Sequence, residues 1–261
     1  MLERTVCVRA NGRLSGPYYL IELEAPEIAA AVKPGQFAHV RVPGQPEALL
    51  RRPFSIFKAG GGTISIVYKV VGRGTAAMAQ LCPGAELSVI GPLGRGFTLP
   101  DSSGPVPLLV AGGYGIAALY LLAERAAVRG IVFMGGKSRS DIICEADFSA
   151  LGWEVRPATE DGSYGEKGLV TEPVRALLER AGSRVKLFAC GPMPMLAAVA
   201  RLAEQFNVPA EVSADRQMCC GVGACLTCVI PVRTPAGWEY QRVCTEGPVF
   251  DARQIAWEMV S

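Results

Sequence analysis

The cysteines of this chain are crowded towards one end. Five of the nine lie in the last fifth of the 261 residues, and the other four are scattered. Disulfide scaffolds are short, secreted and evenly cross-linked, so an odd, clustered set of thiols indicates metal binding in a reducing compartment. Glu3 and Arg4 are followed by no apolar stretch, which is untypical of a signal peptide. We therefore expect a cytoplasmic protein whose C-terminal part folds around a metal centre.

Four of the clustered cysteines follow the spacing C-x4-C-x2-C with a distant fourth member. They are Cys220, Cys225, Cys228 and Cys244. This is the plant-type ligand spacing of a [2Fe–2S] cluster. Gly221 and Gly223 carry no Cβ, so the backbone N–H groups of this loop can point at the cluster sulfurs. A zinc site and buried free thiols are the alternatives, although zinc ribbons normally carry two C-x2-C pairs and this cluster has one.

The fourth cysteine is brought close by a predicted β-hairpin. The segments CVIPVR and WEYQRVC flank a turn centred on Pro235–Ala236. Pairing of these segments would lay Cys228 beside Cys244. Cys219 is interpreted as a spare neighbour, because Cys220 gives the better spacing to the next cysteine.

The first hundred residues have a sequence pattern typical of antiparallel β-structure. Alternating or β-branched runs at 35–42, 63–70 and 85–92 are separated by Gly and Pro, and only residues 74–81 look helical. Several short strands that close on themselves predict an antiparallel β-barrel over residues 1–102.

From about Pro105 the pattern changes to alternating strands and helices. Apolar runs such as PLLVAGG and VKLFACGP alternate with amphipathic segments such as VTEPVRALLERA. This predicts a doubly wound parallel sheet over residues 103–210, followed by a small cysteine-bearing domain at 211–261. The uncharged stretch 102–123 is long enough for a membrane-spanning helix. Its glycine-rich middle instead favours a strand, a tight loop and a helix.

Two short motifs in the predicted barrel carry groups suited to a flavin nucleotide. In the first, RPFS, Arg52 can hold a pyrophosphate and Ser55 can hydrogen-bond a flavin ring nitrogen. In the second, VYKVVGRGT, Gly74 and Thr75 open a helix whose free N–H groups form an anion site. Alone, a strand-end Arg beside Pro is more often a solvated surface feature. The partnership of the two motifs favours the ligand site.

The predicted α/β domain has two features typical of nicotinamide binding. A glycine loop over residues 112–115 stands between a strand and a helix, and Cys190-Gly191-Pro192 ends the last core strand. Ligands of such sheets bind outside the carboxyl ends of the strands. Alternatively, Cys190 is a small buried hydrophobe. Lys137 and Arg139 can accept a 2′-phosphate or form an ordinary turn, which leaves NAD and NADP open.

The composition excludes several other classes. There are 26 basic and 24 acidic residues, which gives a net charge of +2. A nucleic-acid binder would be expected to carry a strongly cationic domain. Half of the residues are hydrophobic and 19% are charged, which excludes a disordered chain. His39 is the single histidine, so a His-rich metal enzyme is excluded and any Ser-His or Cys-His nucleophile has one candidate base.

The order of motifs resembles a known family. RPFS, YKVVGRGT, GPLGRGF, AGGYGI, CGPMPML and the cysteine cluster followed by GPVF resemble the electron-transfer subunit of NAD-dependent bacterial dihydroorotate dehydrogenase, within the ferredoxin–NADP reductase-like group. The resemblance covers essentially the whole chain. It departs at Tyr114, where relatives tend to have Gly, and at Cys219, where a small non-ligand is expected.

The resemblance implies three cofactors: FAD in the barrel, NAD in the α/β domain and a [2Fe–2S] cluster on the four cysteines. The implied FAD contacts are Arg52, Pro53, Phe54, Ser55, Val67, Tyr68, Lys69, Gly74 and Thr75. The implied NAD contacts are Gly112, Gly113, Gly115, Cys190, Gly191 and Pro192. Ser55 and Cys190 are the catalytic candidates among them.

The family also implies a partner. Dihydroorotate would be oxidised at an FMN in a separate catalytic subunit, and electrons would pass through the cluster and FAD to NAD⁺ in pyrimidine biosynthesis. The expected assembly is a heterotetramer of two plus two subunits, without nucleic acid or membrane insertion. The alternatives are a reductase subunit serving another partner, such as a ferredoxin or sulfide oxidoreductase, and a non-catalytic zinc or redox-sensor module. In some of the former an aspartate replaces the first cysteine, and Cys220 argues against them.

Overall fold

A computed structural model describes residues 1–43, 50–181 and 184–260. The N-terminal part forms an antiparallel sheet in the order β4-β3-β7-β1-β2-β6-β5. Its strands are β1 (Leu2–Ser15), β2 (Tyr18–Glu24), β3 (Phe37–Arg41), β4 (Arg52–Ser55), β5 (Lys58–Gly60), β6 (Thr63–Lys69) and β7 (Glu86–Leu93). The sheet curls far enough for β4 to touch β6. The predicted antiparallel barrel is therefore confirmed, in the form of a half-barrel.

Two short helices accompany this sheet. α2 (Arg73–Met78) is the helix that the sequence predicts, although it ends earlier than expected. α1 (Pro26–Ala31) is not predicted. It has no side-chain N-cap and buries only Ile28, so its sequence lacks both the capping signal and the apolar stripe that announce a helix.

The second sheet has the order β11-β10-β9-β8-β12-β13-β16 and is parallel except for β16. Its strands are β8 (Val106–Gly112), β9 (Ile131–Gly136), β10 (Glu154–Thr159), β11 (Glu166–Lys167), β12 (Val185–Cys190), β13 (Ala210–Ser213) and β16 (Val249–Asp251). The associated helices are α3 (Ile116–Arg125), α4 (Glu145–Ala150), α5 (Thr171–Ala181) and α6 (Met193–Gln205).

Helices cover this sheet on both faces. Leu119 of α3 shares a core cluster with Val132 of β9, whereas Val174 of α5 and Val199 of α6 belong to a different cluster with Leu187 of β12. The prediction of a doubly wound parallel sheet is therefore confirmed. The stretch 102–123 contains β8 and the start of α3. In the described part of the chain, no helix combines the length and the apolar character needed to cross a bilayer.

The cysteine-bearing segment folds against both large sheets. Its hairpin consists of β14 (Val229–Thr234) and β15 (Gly237–Arg242), as the sequence predicts. β16, from the same segment, pairs with β13 and so extends the second sheet. Phe37 of β3 belongs to the same core cluster as Cys228 and Cys244. The cysteine-bearing segment therefore packs against the half-barrel at β3.

Candidate functional site

A cavity of about 1050 Å³ lies between the two large sheets. It is lined by β4 and β6 of the half-barrel and by the segments that follow β8, β9 and β12 of the parallel sheet. The carboxyl ends of parallel strands are the usual ligand side of such a sheet. Sites for a single drug-sized ligand measure roughly 300–1,000 Å³, so this cavity has room for a large nucleotide cofactor.

The half-barrel wall contains most of the residues predicted to contact a flavin. Lining residues are Arg52, Pro53, Phe54, Ser55, Val67, Tyr68, Lys69 and Thr75. The Ser55 side chain is half-buried and makes no hydrogen bond within the described residues, so its hydroxyl is available to a ligand. Arg52 donates a hydrogen bond to the Leu50 carbonyl and lines the cavity with its remaining donors.

Gly74 and Thr75, at the start of α2, also shape the backbone and side chains around them. Gly74 is not on the cavity wall, and a Cβ there would lie 2.9 Å from Arg52 Nε. Gly74 thus lets the Arg52 guanidinium lie against the start of α2. The Thr75 hydroxyl accepts hydrogen bonds from the N–H groups of Val71 at 2.9 Å and Gly72 at 3.2 Å. It shapes the turn that precedes the helix.

The nicotinamide-side residues form two loops in direct contact. All six predicted residues, Gly112, Gly113, Gly115, Cys190, Gly191 and Pro192, line the cavity. A Cβ on Gly115 would lie 2.3 Å from the Cys190 carbonyl oxygen, and one on Gly112 would lie 2.7 Å from Pro192 Cδ. Glycine is needed here because the backbone of one loop packs on the backbone of the other. Tyr114 lines the same cavity and is half exposed.

Cys190 is a buried thiol. Burial raises the pKa of Cys190 to about 12, although a hydrogen bond with Ser213 acts in the opposite direction. The side chain is therefore a neutral thiol near pH 7. It offers the cavity a small apolar surface rather than an activated nucleophile.

Several lining residues were not found from the sequence. Tyr18, Asp141 and Asp215 line the cavity and belong to no motif. The Tyr18 hydroxyl donates to Asp141 Oδ1 at 2.5 Å, and Lys69 Nζ lies 3.6 Å from the same oxygen. These contacts join the half-barrel to the loop after β9. They depend on tertiary packing, so no local pattern announces them.

The same carboxylate is held from its own loop. Asp141 Oδ2 accepts the backbone N–H groups of Lys137 at 3.0 Å and Ser138 at 3.3 Å. Burial acts to raise the pKa of Asp141, but the hydrogen bonds from Tyr18 and the loop, together with the Lys69 charge, lower it below its ordinary value. The contact is thus made by an ionised carboxylate.

The two cations predicted near a 2′-phosphate are separated by the structure. Lys137 lines the cavity, whereas Arg139 does not. The Arg139 guanidinium lies 4.1 Å from the Tyr164 ring centroid and donates to the Ile142 carbonyl at 2.9 Å. Arg139 is therefore engaged by its own domain.

Residues 220–228 form a loop, called here the cysteine loop, in which backbone N–H groups face the sulfur of Cys220. The N–H groups of Val222 and Ala224 lie 3.5 Å and 3.3 Å from Cys220 Sγ. Gly221 and Gly223 have positive φ values of 71° and 85°, which let the loop turn tightly around that sulfur. Such N–H groups stabilise negative charge on sulfur.

The four predicted ligands are arranged as two pairs. Cys225 hydrogen-bonds with Thr227 and with Cys220, which lowers the pKa of Cys225 to about 6. Cys228 and Cys244 are buried, and burial together with the hydrogen bond to Cys228 raises the pKa of Cys244 to about 12. Cys219 contacts Cys225 and so lies beside the first pair.

This pairing fits a two-iron centre. Each iron of a [2Fe–2S] cluster takes two protein ligands, so the ligands are expected in pairs. A tetrahedral zinc ion would instead gather all of them at one point. Within residues 1–43, 50–181 and 184–260, no three Cys, His, Asp or Glu side chains are grouped as ligands of a single ion. The C-x4-C-x2-C spacing and the backbone N–H groups around Cys220 Sγ also fit such a cluster.

The hairpin holds the second pair in place. The Val243 N–H donates to the Cys228 carbonyl at 2.9 Å, at the open end of β14 and β15. Arg242 donates to Glu246 through Nε at 2.8 Å and to the Gly223 carbonyl through Nη1 at 3.1 Å. The Arg242 hydrogen bond lowers the pKa of Glu246 to about 2. Arg242 thus ties the cysteine loop to the hairpin.

Comparisons with known sequences agree over most of the chain. Residues 215–256 match a family model described as the iron–sulfur cluster binding domain of dihydroorotate dehydrogenase B. A protein of Desulforamulus reducens named dihydroorotate dehydrogenase B (NAD(+)), electron transfer subunit, is 38% identical over 245 residues, covering 92% of this chain and 93% of the relative. A protein of the same name from Bacillus caldolyticus is 42% identical over 230 residues, covering 85% and 86%.

Solved structures share the fold. The NADH-dependent reduced ferredoxin-NADP oxidoreductase, studied for flavin-based electron bifurcation, has a TM-score of 0.85 at 26% identity, with 97% of this chain and 90% of that chain covered. The ferredoxin reductase of carbazole 1,9a-dioxygenase has a TM-score of 0.70 at 23% identity, with 82% and 69% covered. The half-barrel and the parallel sheet thus have the arrangement found in flavin-dependent reductases.

Proposed function

Because this chain belongs to the family of electron transfer subunits of dihydroorotate dehydrogenase B, we propose that it passes electrons from an FMN-containing catalytic partner, through a [2Fe–2S] cluster and FAD, to NAD⁺ in pyrimidine biosynthesis. The observation that carries the proposal is the single cavity that joins the half-barrel motifs to the glycine loops of the parallel sheet. The paired cysteines then supply the third redox site of the same chain.

Residues of the half-barrel would hold FAD. Arg52 offers guanidinium donors for a phosphate beside the start of α2, and the free Ser55 hydroxyl faces the same cavity. Val67 and Tyr68 are buried and supply an apolar wall for the ring system. Lys69 is engaged with Asp141 and therefore contributes its charge at the junction with the second sheet.

Residues of the parallel sheet would hold the nicotinamide nucleotide. The backbone of Gly112–Gly115 is accessible because its glycines carry no side chain, and this suits the close approach of a pyrophosphate. Cys190, Gly191 and Pro192 would lie at the nicotinamide end. The neutral Cys190 thiol would give the nicotinamide ring a small apolar neighbour.

The cofactors carry the electron chemistry, since bound FAD exchanges a hydride with nicotinamide and single electrons with an iron–sulfur cluster. The residues of this chain bind, orient and shield. Cys220, Cys225, Cys228 and Cys244 would be the cluster ligands. Three ranges would share the work: 1–102 for FAD, 103–210 for NAD and 211–261 for the cluster.

The proposal places dihydroorotate oxidation on the partner. The sequence offers no acid–base pair typical of a substrate site, and the family name of the relatives denotes an electron transfer subunit. We propose an assembly of two such chains with two catalytic subunits in the cytoplasm.

A reconstitution experiment tests this division of labour. The purified chain alone should reduce an artificial dye with NADH and should form no orotate from dihydroorotate. Addition of the FMN-containing subunit should start dihydroorotate-dependent reduction of NAD⁺, and the mass of the complex should match two plus two subunits. Substantial orotate formation by the isolated chain would refute the proposal, and ferredoxin reduction in place of coupling to the FMN subunit would favour a different partner.

A further inference from the structure

His39 is a buried histidine. It is fully buried, and neither Nδ1 nor Nε2 makes a hydrogen bond of normal geometry within the described part of the chain, although the backbones of Arg51 and Cys220 lie against the ring. Folded proteins pair nearly all of their buried polar atoms, because an unpaired one costs free energy. No Ser or Cys side chain is hydrogen-bonded to the ring, so His39 is not the base of a nucleophile.

On one side, His39 lies next to the half-barrel wall of the cavity, called here the flavin wall and formed by β4 and β6. It lies in β3 directly opposite Pro53 of β4, and Phe37 lies opposite Ser55 in the same ladder. Phe37 and Ser55 line the cavity. Residues two apart in a strand point to the same face, about 7 Å from each other. The His39 imidazole therefore lies on the same face of β3 as Phe37, about 7 Å from this cavity-lining residue.

On the other side, His39 adjoins the cysteine loop. A Cβ on Gly221 would lie 2.4 Å from His39 Nδ1, so the loop backbone rests on the imidazole ring. Gly221 follows the ligand Cys220, whose backbone is close enough to the ring to affect its electrostatics. Phe37, on the same face of β3, packs in one cluster with Cys228 and Cys244. His39 is thus a polar group enclosed between the flavin wall and the cluster loop.

We propose that His39 is a positioning residue for electron transfer, which seats the Cys220–Gly221 segment on the half-barrel and donates a ring N–H hydrogen bond to a sulfur of the cluster bound there. This rests on the proposed function, since it requires the cluster. The imidazole carries at least one N–H in either protonation state. Hydrogen bonds to the sulfurs favour the reduced, more negative form of a cluster, so His39 would raise its reduction potential.

The single histidine makes a direct test possible. The full chain is produced with ¹⁵N-histidine and a purification tag free of histidine, loaded with its cofactors and combined with unlabelled partner subunit. Because His39 is the one histidine of the sequence, any ¹⁵N coupling to the reduced cluster in pulsed EPR comes from it. The expected result is one weakly coupled nitrogen. A reduced-cluster signal without ¹⁵N coupling would overturn the role of His39, whereas the lack of any cluster signal would overturn the proposed function itself.

Two variants separate the hydrogen bond from simple packing. His39→Leu removes the donor, and the cluster potential should shift to a lower value in a redox titration. His39→Gln keeps an N–H group and should restore much of that shift. Ile90→Leu, at the position paired with His39 on β7, is the packing control and should leave the potential unchanged. Equal potentials for wild type, His39→Leu and His39→Gln would contradict the proposal. If His39→Leu does not retain the cluster, the labelled wild-type chain and His39→Gln decide the question.

Discussion

The cavity and the cysteine loop are built in different ways. The proposed ligands come together mainly through local geometry, namely closely spaced cysteines, two positive-φ glycines and one hairpin. The cavity assembles residues from two sheets whose motifs are individually weak, such as Arg52 and the Gly112–Gly115 loop. A local site is therefore tolerant of changes elsewhere, whereas a composite site depends on distant backbone contacts.

The largest expected effect is at the local site. Cys228→Ser should abolish the cluster, because it removes one of the four proposed ligands, a buried cysteine, while FAD content stays unchanged. Iron, acid-labile sulfide and flavin are measured on the same sample. Cys219→Ser is the matched control and should keep the cluster, since Cys219 lies beside the first pair and is not one of the four proposed ligands. Loss of FAD together with the cluster would show that the two sites are not independent.

The next effect concerns the flavin wall. Arg52→Ala should weaken FAD binding by about 10- to 100-fold, the loss of a charged hydrogen bond worth roughly 1.5–3 kcal/mol. Arg51→Ala is the neighbouring control. Arg51 donates to the Ser88 carbonyl at 2.9 Å and does not line the cavity, so its loss should leave FAD affinity unchanged. Fluorescence titration of the flavin-free protein measures both. Equal losses in the two variants would contradict the assignment of Arg52.

The contact between the glycine loops gives a third prediction. Gly115→Ala should lower the free energy of unfolding by about 1–3 kcal/mol and raise KM for NADH, because its Cβ would meet the Cys190 carbonyl oxygen. Gly12→Ala, on β1, has open space around the added carbon and should have little effect on either quantity. Urea unfolding and steady-state kinetics check the pair. An unchanged KM in Gly115→Ala would show that the contact between the two loops does not affect NADH binding.

A smaller effect is expected at the contact between the sheets. Tyr18→Phe should cost about 1 kcal/mol at neutral pH, because it removes the hydrogen bond to Asp141. The depressed pKa of Asp141 stabilises the fold above the ordinary carboxyl pKa, and this stabilisation is lost as the pH falls through the lower folded value. The difference between wild type and variant should therefore shrink from about pH 5 towards pH 3.

The control for this prediction is Tyr19→Phe. Tyr19 stacks on Tyr68, and its hydroxyl makes no hydrogen bond within the described residues. This variant should match wild type across the pH range in urea unfolding. A Tyr18→Phe difference that grows on acidification would contradict the ionised state of Asp141.

The smallest effect concerns cofactor choice. Arg139→Ala should change the ratio of kcat/KM for NADH and NADPH by less than about twofold, because Arg139 is engaged with Tyr164 and Ile142 outside the cavity. Lys137→Ala should have the greater influence of the two, since Lys137 lines the cavity. A tenfold change on loss of Arg139 would show that this side chain turns towards the nucleotide.

The features predicted correctly from the sequence are those that depend on residues close together in the chain. The fold class follows from the change of period near Pro105, and the hairpin follows from its turn. It missed α1, which lacks a cap and an apolar stripe, and the Tyr18–Asp141 contact, which joins elements far apart in the chain. The position of His39 was equally hidden, because its surroundings come from β4 and from the cysteine loop. Tertiary contacts of this kind leave no periodic signal.

The cavity and the cysteine loop are expected to form one electron path. The most direct test is the anaerobic visible spectrum of the purified chain, before and after one equivalent of NADH, for wild type and Cys228→Ser. In wild type, the flavin bands and a broad cluster shoulder should both bleach, while in Cys228→Ser the flavin alone should bleach. A wild-type spectrum in which the flavin bleaches and the cluster does not, or a colourless protein that holds zinc, would contradict the account.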